Sequence, residues 1–397
     1  MLTEAVILAG GQATRLGSLA ADVPKALLPV AGRPFVDHLV WNVRRHGIRR
    51  VVFAVGRHSE QVVAHLGDGA ALGIEALYAV EEEPLGTGGA LALAARQVSG
   101  DEVLVLNGDT LFEFNYLDLA MLRDRTATGV AVALRKVDDV ARFGAVTLEG
   151  DLITAFAEKE RTGPGLVSAG VYVISTDALA NRPEGPWSLE TGMLAPLAAE
   201  GALGGRAYEG TFVDIGVPDA LDAAQAIVAD WRRKPAVFFD RDGVLNEDRG
   251  HVHTPEEFAW MPGAVEAVKA VNDAGHLAIV VTNQAGIGRG YYTEAQFEGF
   301  SAWIGAGLAA GGAHLDATYY CPHHPEAARP PYLVACDCRK PEPGMILRAA
   351  HDWDIDLQRS VMIGDNDKDM LAAAAAGVRG VRYVSGDVAA LVRSVLG

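Results

Sequence analysis

Short apolar runs alternate with stretches of helical periodicity along almost the whole chain. Ala5 to Leu8 is a continuous apolar run of the kind found in a buried strand. Phe35 to His46 then places Val36, Leu39, Val40 and Val43 on one helical face. Arg50 to Val55 reads as a strand, Ser59 to Leu66 as a helix, and Glu75 to Val80 and Glu102 to Leu106 as further strands. Alternation of this kind predicts a mostly parallel sheet with helices on both faces. After Gly129 the pattern turns antiparallel in style. Ala145 to Leu148 and Leu152 to Ala157 flank Glu149-Gly150-Asp151, a hairpin signal, Val171 to Ile174 adds a strand, and Asp219 to Trp231 a helix. A second series follows: strand Ala236 to Phe239, helix Val265 to Ala274, strand Leu277 to Val281, helix Thr293 to Leu308, and strands Ala317 to Tyr320 and Val361 to Ile363. Between the two series, Trp231-Arg232-Arg233-Lys234-Pro235 is a basic break ending in proline and predicts a short linker. Two α/β domains are therefore expected, 1–230 and 235–397.

Composition narrows this picture. A chain of 397 residues with 50% hydrophobic content can build two or three cored domains. Its net charge of −17 argues against nucleic acid or an anionic membrane as main partner, so any anionic ligand must meet locally gathered Lys and Arg. The apolar run after Met1 is broken by Glu4 and ends in glycines, which predicts no signal peptide. No stretch approaches the ~18 apolar residues that span a bilayer. Cys321, Cys336 and Cys338 are an odd number gathered in one segment. That pattern predicts metal ligation in a reducing cytoplasm, not a disulfide framework.

The chemistry of the first half gathers at strand ends. LAGGQATRL (Leu8 to Leu16) follows the first strand at once, so backbone N–H groups can approach phosphate, and Arg15 can pair with phosphate oxygens. It lacks the G-K-[ST] ending of a Walker A loop and is not G-x-G-x-x-G. PKALLP (Pro24 to Pro29) fixes Lys25 between prolines as a phosphate clamp. EEEPLGTGGA (Glu81 to Ala90) joins an acidic run to a glycine-rich turn that opens a helix. Asn107-Gly108-Asp109 ends a strand, and Phe212-Val213-Asp214-Ile215-Gly216 supplies one more aspartate.

Taken in order, these motifs closely resemble the sugar-1-phosphate nucleotidylyltransferases over essentially all of residues 1–230. The resemblance implies a Rossmann-like (GT-A-like) domain in which Leu8, Gly10, Gly11, Arg15, Gly86 and Thr87 surround the nucleotide. Lys25 would lie against the reacting phosphates, Asp109 and Asp214 would hold Mg²⁺, and Glu158 and Lys159 would face the sugar phosphate. Ala13 departs from the family's usual glycine. EEEPLGTGGA, NGDT and Ser168 to Tyr172 look most like guanylyltransferases acting on heptose 1-phosphate. Mannose-1-phosphate guanylyltransferases share part of this pattern but usually carry a C-terminal left-handed β-helix, and no hexapeptide repeat is present here. The acidic run Glu81 to Glu83 offers acceptors for guanine's N1–H and N2–H₂, which adenine cannot present in that arrangement.

In the second half, FFDRDGVLN (Phe238 to Asn246) places Asp240 and Asp242 just past a strand, where open α/β sheets bind ligands. One carboxylate can attack phosphorus while the other passes protons. Thr282, Lys340 and Gly364-Asp365-Asn366-Asp367-Lys368-Asp369 follow in order on successive βα units. That order resembles the haloacid-dehalogenase phosphatases. It implies Asp240 as nucleophile, Asp242 as general acid and base, Thr282 and Lys340 on the transferring phosphoryl group, and Mg²⁺ on Asp240, Asp365 and the backbone carbonyl of Asp242, with Asp369 orienting the site. Cys321-x-His323 and Cys336-x-Cys338 form a Cys₃His set typical of structural zinc, with His324 competing for the histidine position.

That loop, with NEDRGHVH (Asn246 to His253), TNQAGIGRG (Thr282 to Gly290) and CDCRKPEPGM (Cys336 to Met345), resembles the D-glycero-D-manno-heptose 1,7-bisphosphate 7-phosphatases from Pro235 onward. Substrate contacts would map to Asp248, Arg249, Gly250, His251, Asn283, Gln284, Arg339 and Lys340. Asn366 stands where a lysine is common. Zinc-loop histidinol phosphatases are the near alternative. The expectation is a bifunctional cytoplasmic enzyme taking heptose phosphates and GTP, with Mg²⁺ and structural Zn²⁺ as cofactors. The rivals are a mannose-1-phosphate transferase fused to a histidinol-phosphatase-like unit, and a chain in which one half is a non-catalytic regulatory module.

Overall fold

The computed structural model describes residues 2–11, 16–17, 22–141, 144–156, 162–180 and 182–396. The chain forms two compact units, Met1–Ala229 and Asp230–Gly397. The division falls within one helix, Pro218–Arg232, so the predicted linker is shorter than its composition suggested. Lys234, expected in a basic break acting as a linker, is 5% exposed. Its carbonyl accepts from the Asp356 N–H and its ammonium lies 5.2 Å from the Trp231 ring centroid.

The first unit is built on a nine-stranded sheet in the order Glu75–Val80, Arg50–Val55, Glu4–Leu8, Glu102–Asn107, Gly165–Ser175, Val130–Val137, Leu203–Ala207, Leu152–Phe156, Val146–Glu149. The first four strands are parallel, as the alternating pattern predicts. Gly165–Ser175 runs antiparallel to both of its main neighbours and converts the rest into a mixed sheet. Strands Val130–Val137 and Leu203–Ala207, which sequence reading did not single out, pair parallel within the region where an antiparallel pattern was expected. Gly205 is required there, because a Cβ would stand 2.5 Å from the Ile153 side chain. Val6, Val52, Val103, Val105, Val130, Val132 and Leu134 are all buried in one core on this sheet. A separate ribbon pairs Thr110–Phe112 with Phe212–Asp214, opposing Thr110 to Asp214.

The second unit is an all-parallel five-stranded sheet, ordered Ala317–Cys321, Leu277–Asn283, Ala236–Phe239, Val361–Gly364, Arg379–Arg382. Strand Ala236–Phe239 is fully buried and central because all four residues are apolar β-formers. The chain builds outward from it to one side and then to the other. The crevice at its carboxyl end is therefore the topological switch point where such sheets bind ligands. Helix Glu294–Ala310 starts on Thr293 in a full capping box with Gln296. No helix among the described residues is long and apolar enough to cross a membrane.

Candidate active sites and candidate metal centre

In the first unit a cleft of about 450 Å³ opens at the carboxyl ends of the parallel strands. Leu8, Gly10, Gly11, Lys25, Gly86, Thr87 and Asp109 all line it, with Glu81 and Gly216. The Thr110–Phe112 and Phe212–Asp214 ribbon explains how Asp109 and Asp214 come to one end, since Ile215 N–H donates to the Asp109 carbonyl at 3.0 Å. Lys25 Nζ pairs with Asp109 Oδ2 at 2.5 Å, and Asp214 Oδ1 accepts from Gly216 N–H at 2.7 Å. A Cβ on Gly216 would lie 3.5 Å from Lys25 Nζ and 2.7 Å from Asp214 Oδ1, so that glycine lets lysine and carboxylate share one space. Two carboxylates against one lysine suit a divalent cation at that end of the cleft. Arg15, Glu158 and Lys159, like Ala13, lie outside the described residues.

Glu81 does a job the acidic run did not advertise. Its Oε2 accepts from Leu85 N–H at 2.9 Å, and a Cβ on Gly10 would strike its Oε1 at 2.2 Å. Burial raises its pKa against the pull of that backbone N–H. Glu82 and Glu83 are exposed. The glycine turn beyond is fixed by Trp187, whose carbonyl accepts from Gly88 and Gly89 N–H, while Thr87 Oγ1 accepts from Leu189 N–H at 2.9 Å.

In the second unit a pocket of about 330 Å³ sits at the switch point, lined by Asp240, Asp242, Thr282, Arg339, Lys340 and Asp365, among others. Lys340 is 3% exposed. Its ammonium pairs with Asp240 at 2.9 Å and Asp369 at 2.7 Å and donates to the Val281 carbonyl at 2.9 Å. Carboxylate oxygens of Asp240, Asp365 and Asp369 all lie within 4.8 Å of one another. Burial pushes Asp240 up to about 7; Lys340 opposes the rise and Asp369 and Asp242 add to it. Asp365 is raised by burial and then by Asp369. This surplus of crowded acid over one lysine fits a divalent cation held on Asp240 and Asp365. Gly243, at φ +87°, admits Asp365, whose Oδ2 would stand 2.3 Å from a Cβ there.

Asp242 is held by three donors: Arg241 at 2.8 Å, Asn246 at 3.0 Å and Gln284 at 3.1 Å. Gln284 in turn donates to Thr282 Oγ1 at 2.8 Å and accepts from Tyr292 OH at 2.6 Å.

The thiols of Cys321, Cys336 and Cys338 and His323 Nδ1 form a compact tetrad, five of its six edges 3.2 to 3.7 Å and all within 4.8 Å. A tetrahedron with zinc–sulfur bonds of about 2.3 Å has edges of roughly 3.8 Å, so the donor set fits that ion. Burial and the Cys336 thiol push Cys338 up to about 11, a crowding that a bound cation would relieve. His324 is engaged elsewhere: its Nδ1 accepts from the Glu326 and Ala327 N–H groups at 3.2 and 3.0 Å.

Comparison with known proteins now gives these sites a family. A nucleotidyl transferase family model matches residues 4–230, more than half of the chain, and a HAD-hydrolase-like model matches 337–391. The D-glycero-beta-D-manno-heptose-1,7-bisphosphate 7-phosphatase of Vibrio cholerae is 48% identical over 145 residues, covering 36% of this chain and 78% of that protein. Its counterpart in Rhodopseudomonas palustris is 43% identical over 164 residues, 41% of this chain and 91% of that protein. The chain belongs to the nucleotidyl transferase family in its first unit and to the 7-phosphatase family in its second. HddC from Yersinia pseudotuberculosis, solved alone and with GMP-PN, is 27% identical at a TM-score of 0.51, covering 57% of this chain and 99% of that one. The fusion is a bifunctional enzyme.

Within the 7-phosphatase unit, one expected substrate contact lies outside the pocket lining, and two line it with their side-chain amides already engaged. Arg249 pairs with Glu247 at 2.7 Å and is half exposed, outside the pocket lining. Asn283 faces the pocket, but its amide clamps the Lys340 backbone in both directions, each at 3.0 Å. Gln284 lines the pocket while its amide orients Asp242 and Thr282. Asp248, Gly250, His251 and Arg339 line the pocket. Arg289 and Lys368 line it too, and sequence reading missed them. The signal was faint: a basic residue inside TNQAGIGRG and another inside the G-D-x-x-x-D motif.

Proposed function

We propose that this enzyme catalyses two consecutive steps toward GDP-D-glycero-α-D-manno-heptose. The second unit hydrolyses the 7-phosphate of heptose 1,7-bisphosphate, and the first transfers GMP from GTP to heptose 1-phosphate with release of pyrophosphate. The carrying observation is the juxtaposition of Asp240, Lys340, Asp365 and Asp369 in a pocket whose unit is 48% identical to a heptose-bisphosphate 7-phosphatase. The guanine assignment is supported by HddC, a fold neighbour solved with GMP-PN.

In the phosphatase, Asp240 attacks phosphorus and the sugar oxygen leaves with a proton from Asp242. Asp242 then takes a proton from water, which attacks the aspartyl phosphate and returns Asp240 and inorganic phosphate. The Arg241, Asn246 and Gln284 contacts hold Asp242 in place for both transfers. Lys340 offsets charge on the transferring group. Mg²⁺ on Asp240, Asp365 and the Asp242 carbonyl supplies further charge neutralisation when bound. In the transferase no covalent intermediate is needed: a phosphate oxygen of the sugar attacks the α-phosphorus, and Lys25 and Arg15 hold the phosphates. Asp109 and Asp214 would hold its Mg²⁺, Glu158 and Lys159 the sugar phosphate. The Cys₃His set would hold zinc as a brace. The reaction belongs in the cytoplasm, where GTP is present and thiols stay reduced.

The order of the steps follows from charge. Among the described residues Lys25 is the one cation lining the transferase cleft, and it is already paired with Asp109. Beyond the cations already assigned to the nucleotide and the sugar 1-phosphate, a second phosphate dianion there has no further cation to meet it among the described residues, in a chain of net charge −17. With GTP, Mg²⁺ and heptose 1,7-bisphosphate supplied, inorganic phosphate should appear before pyrophosphate, and GDP-heptose after a lag. Pyrophosphate release from the bisphosphate without prior phosphate release would overturn the order. Failure to turn over either heptose phosphate would overturn the reading itself.

A further inference from the structure

Arg241 stands between the two acids of the D-x-D motif and is 2% exposed, yet it is absent from the lining of the pocket those acids serve. Its guanidinium makes three contacts with Asp242: Nε to Oδ1 at 3.2 Å, and Nη2 to Oδ1 and Oδ2 at 2.8 and 3.0 Å. The same Nη2 donates to the Val252 carbonyl at 2.6 Å. The Arg241 carbonyl meanwhile accepts from Asn246 N–H at 3.2 Å. One residue therefore fastens segment 246–252 at both ends, by its main chain at the start and its side chain at the finish. That segment brings Asp248, Gly250 and His251 to the pocket lining.

Pairing rules alone do not explain the choice of arginine. Its Nη1 is buried with no partner among the described residues, and an unpaired buried donor weakens the fold that holds it. The rings of Phe297 and Phe300 lie 5.7 and 5.5 Å from the guanidinium carbon, surroundings that an unbranched apolar side chain would also suit. Asp242 would not be stranded by such a change, because it is partly exposed and keeps Asn246 and Gln284 as donors. Positions that break a local rule in this way are where function is expected. What arginine adds is a rigid planar fork. With Asp242 across the fork and Val252 on one of its prongs, the carboxylate cannot turn without disturbing the segment, nor the segment lift without turning the carboxylate.

We infer that Arg241 is a positioning residue that ties the aim of Asp242 to the seating of segment 246–252, so that proton transfer to the leaving oxygen depends on the wall that faces the substrate. The inference deepens the phosphatase reading above and rests on it for the role of Asp242. Its consequence is selective. An ester whose oxygen must be protonated to leave needs Arg241, whereas one that leaves as a stable anion does not.

The test uses the full chain with Mg²⁺ and two esters of similar size. Benzyl phosphate releases an alkoxide that needs a proton; 4-nitrophenyl phosphate releases a phenolate that does not. In Arg241→Met, kcat/KM should fall about 100-fold for benzyl phosphate and no more than about threefold for 4-nitrophenyl phosphate. The nitrophenyl ester should also give a burst, because water attack on the aspartyl phosphate still calls on Asp242 as base. Amide hydrogen exchange across 248–252 should quicken in the same variant. Arg241→Lys keeps the charge without the fork, so it should show the same preference to a smaller degree, and it decides the matter if Arg241→Met does not fold. Equal losses on the two esters, or no loss on either, overturn the positioning role. Exchange across 248–252 that stays at the parent rate overturns the tie to the segment. Parent protein that hydrolyses neither ester overturns the phosphatase reading, and this inference with it.

Discussion

Two buried carboxylates show how the same residue type is set to opposite tasks by its partners. Glu4 is 4% exposed, and burial alone would raise its pKa, yet the Gly100 N–H, Arg50 and Ser99 bring it below the usual range. Its contribution to stability is therefore present above the unfolded carboxylate value and is lost as pH falls through the folded one. Asp240 runs the other way. With a folded value near 7 against 3.8 unfolded, the metal-free native state holds a proton that the unfolded chain has released. Stability of metal-free protein should thus fall as pH rises from about 4 to 7 and then level off. Asp240→Asn should flatten that slope. Thermal unfolding in chelator across this pH range checks it; a steeper slope in the variant refutes the protonation argument. Glu81 allows a second test, since it alone of the acidic run lines the transferase cleft. Glu81→Gln should reduce the GTP over ATP preference about tenfold if its carboxylate receives guanine, the ratio of kcat/KM being the measurement. An unchanged ratio with a weakened protein would leave it as the support beneath Gly10. The acids were legible because D-x-D, N-G-D and G-D-x-x-x-D have fixed spacing. The engagement of Asn283 and Gln284 was not, because it depends on where Lys340 and Asp242 arrive from distant parts of the chain.

At the scale of the element, the loop from Cys321 to Cys338 carries the clearest dependence. Cys321 ends strand Ala317–Cys321, and Cys338 is followed at once by Arg339 and Lys340. Losing the tetrad therefore unfixes the segment that delivers the buried lysine to Asp240. Cys336→Ser should abolish stoichiometric zinc, lower the stability of the second unit by several kcal/mol, on the order expected where metal binding is coupled to folding, and reduce phosphatase kcat. Metal content measured beside thermal unfolding decides it; full activity in a zinc-free protein would remove the brace from the account. Most of the parallel strands of both units were legible from apolar runs alone. Beyond Glu102–Asn107 the hairpin around Gly150 and the strand through Val171 to Ile174 were legible too, but Val130–Val137 and Leu203–Ala207 were not. Leu203–Ala207 reads LGGRA, which no strand propensity favours. It is a strand because Val130–Val137 pairs with it and Ile153 fills the space that Gly205 leaves. Arg379–Arg382 is an edge strand with little buried surface, so it leaves no apolar alternation to read.

For the whole molecule, each unit carries its own sheet, cleft and acid cluster, so the two activities should separate cleanly. Asp240→Asn should lower phosphate release by about 10⁴-fold or more while transfer of GMP to supplied heptose 1-phosphate persists. Loss of both activities in a folded variant would show that the units depend on each other. The burial of Lys234 has a practical consequence for anyone who divides the gene to ask this question. Composition invites a cut just before Pro235, in front of the first apolar strand. A fragment begun there would discard the lysine carbonyl that receives the Asp356 N–H, together with Trp231, whose ring lies beside the lysine ammonium, and would leave the Asp356 donor without that partner. Started at Asp230, the same fragment keeps both, so a few residues of the preceding helix belong with the phosphatase when the gene is divided.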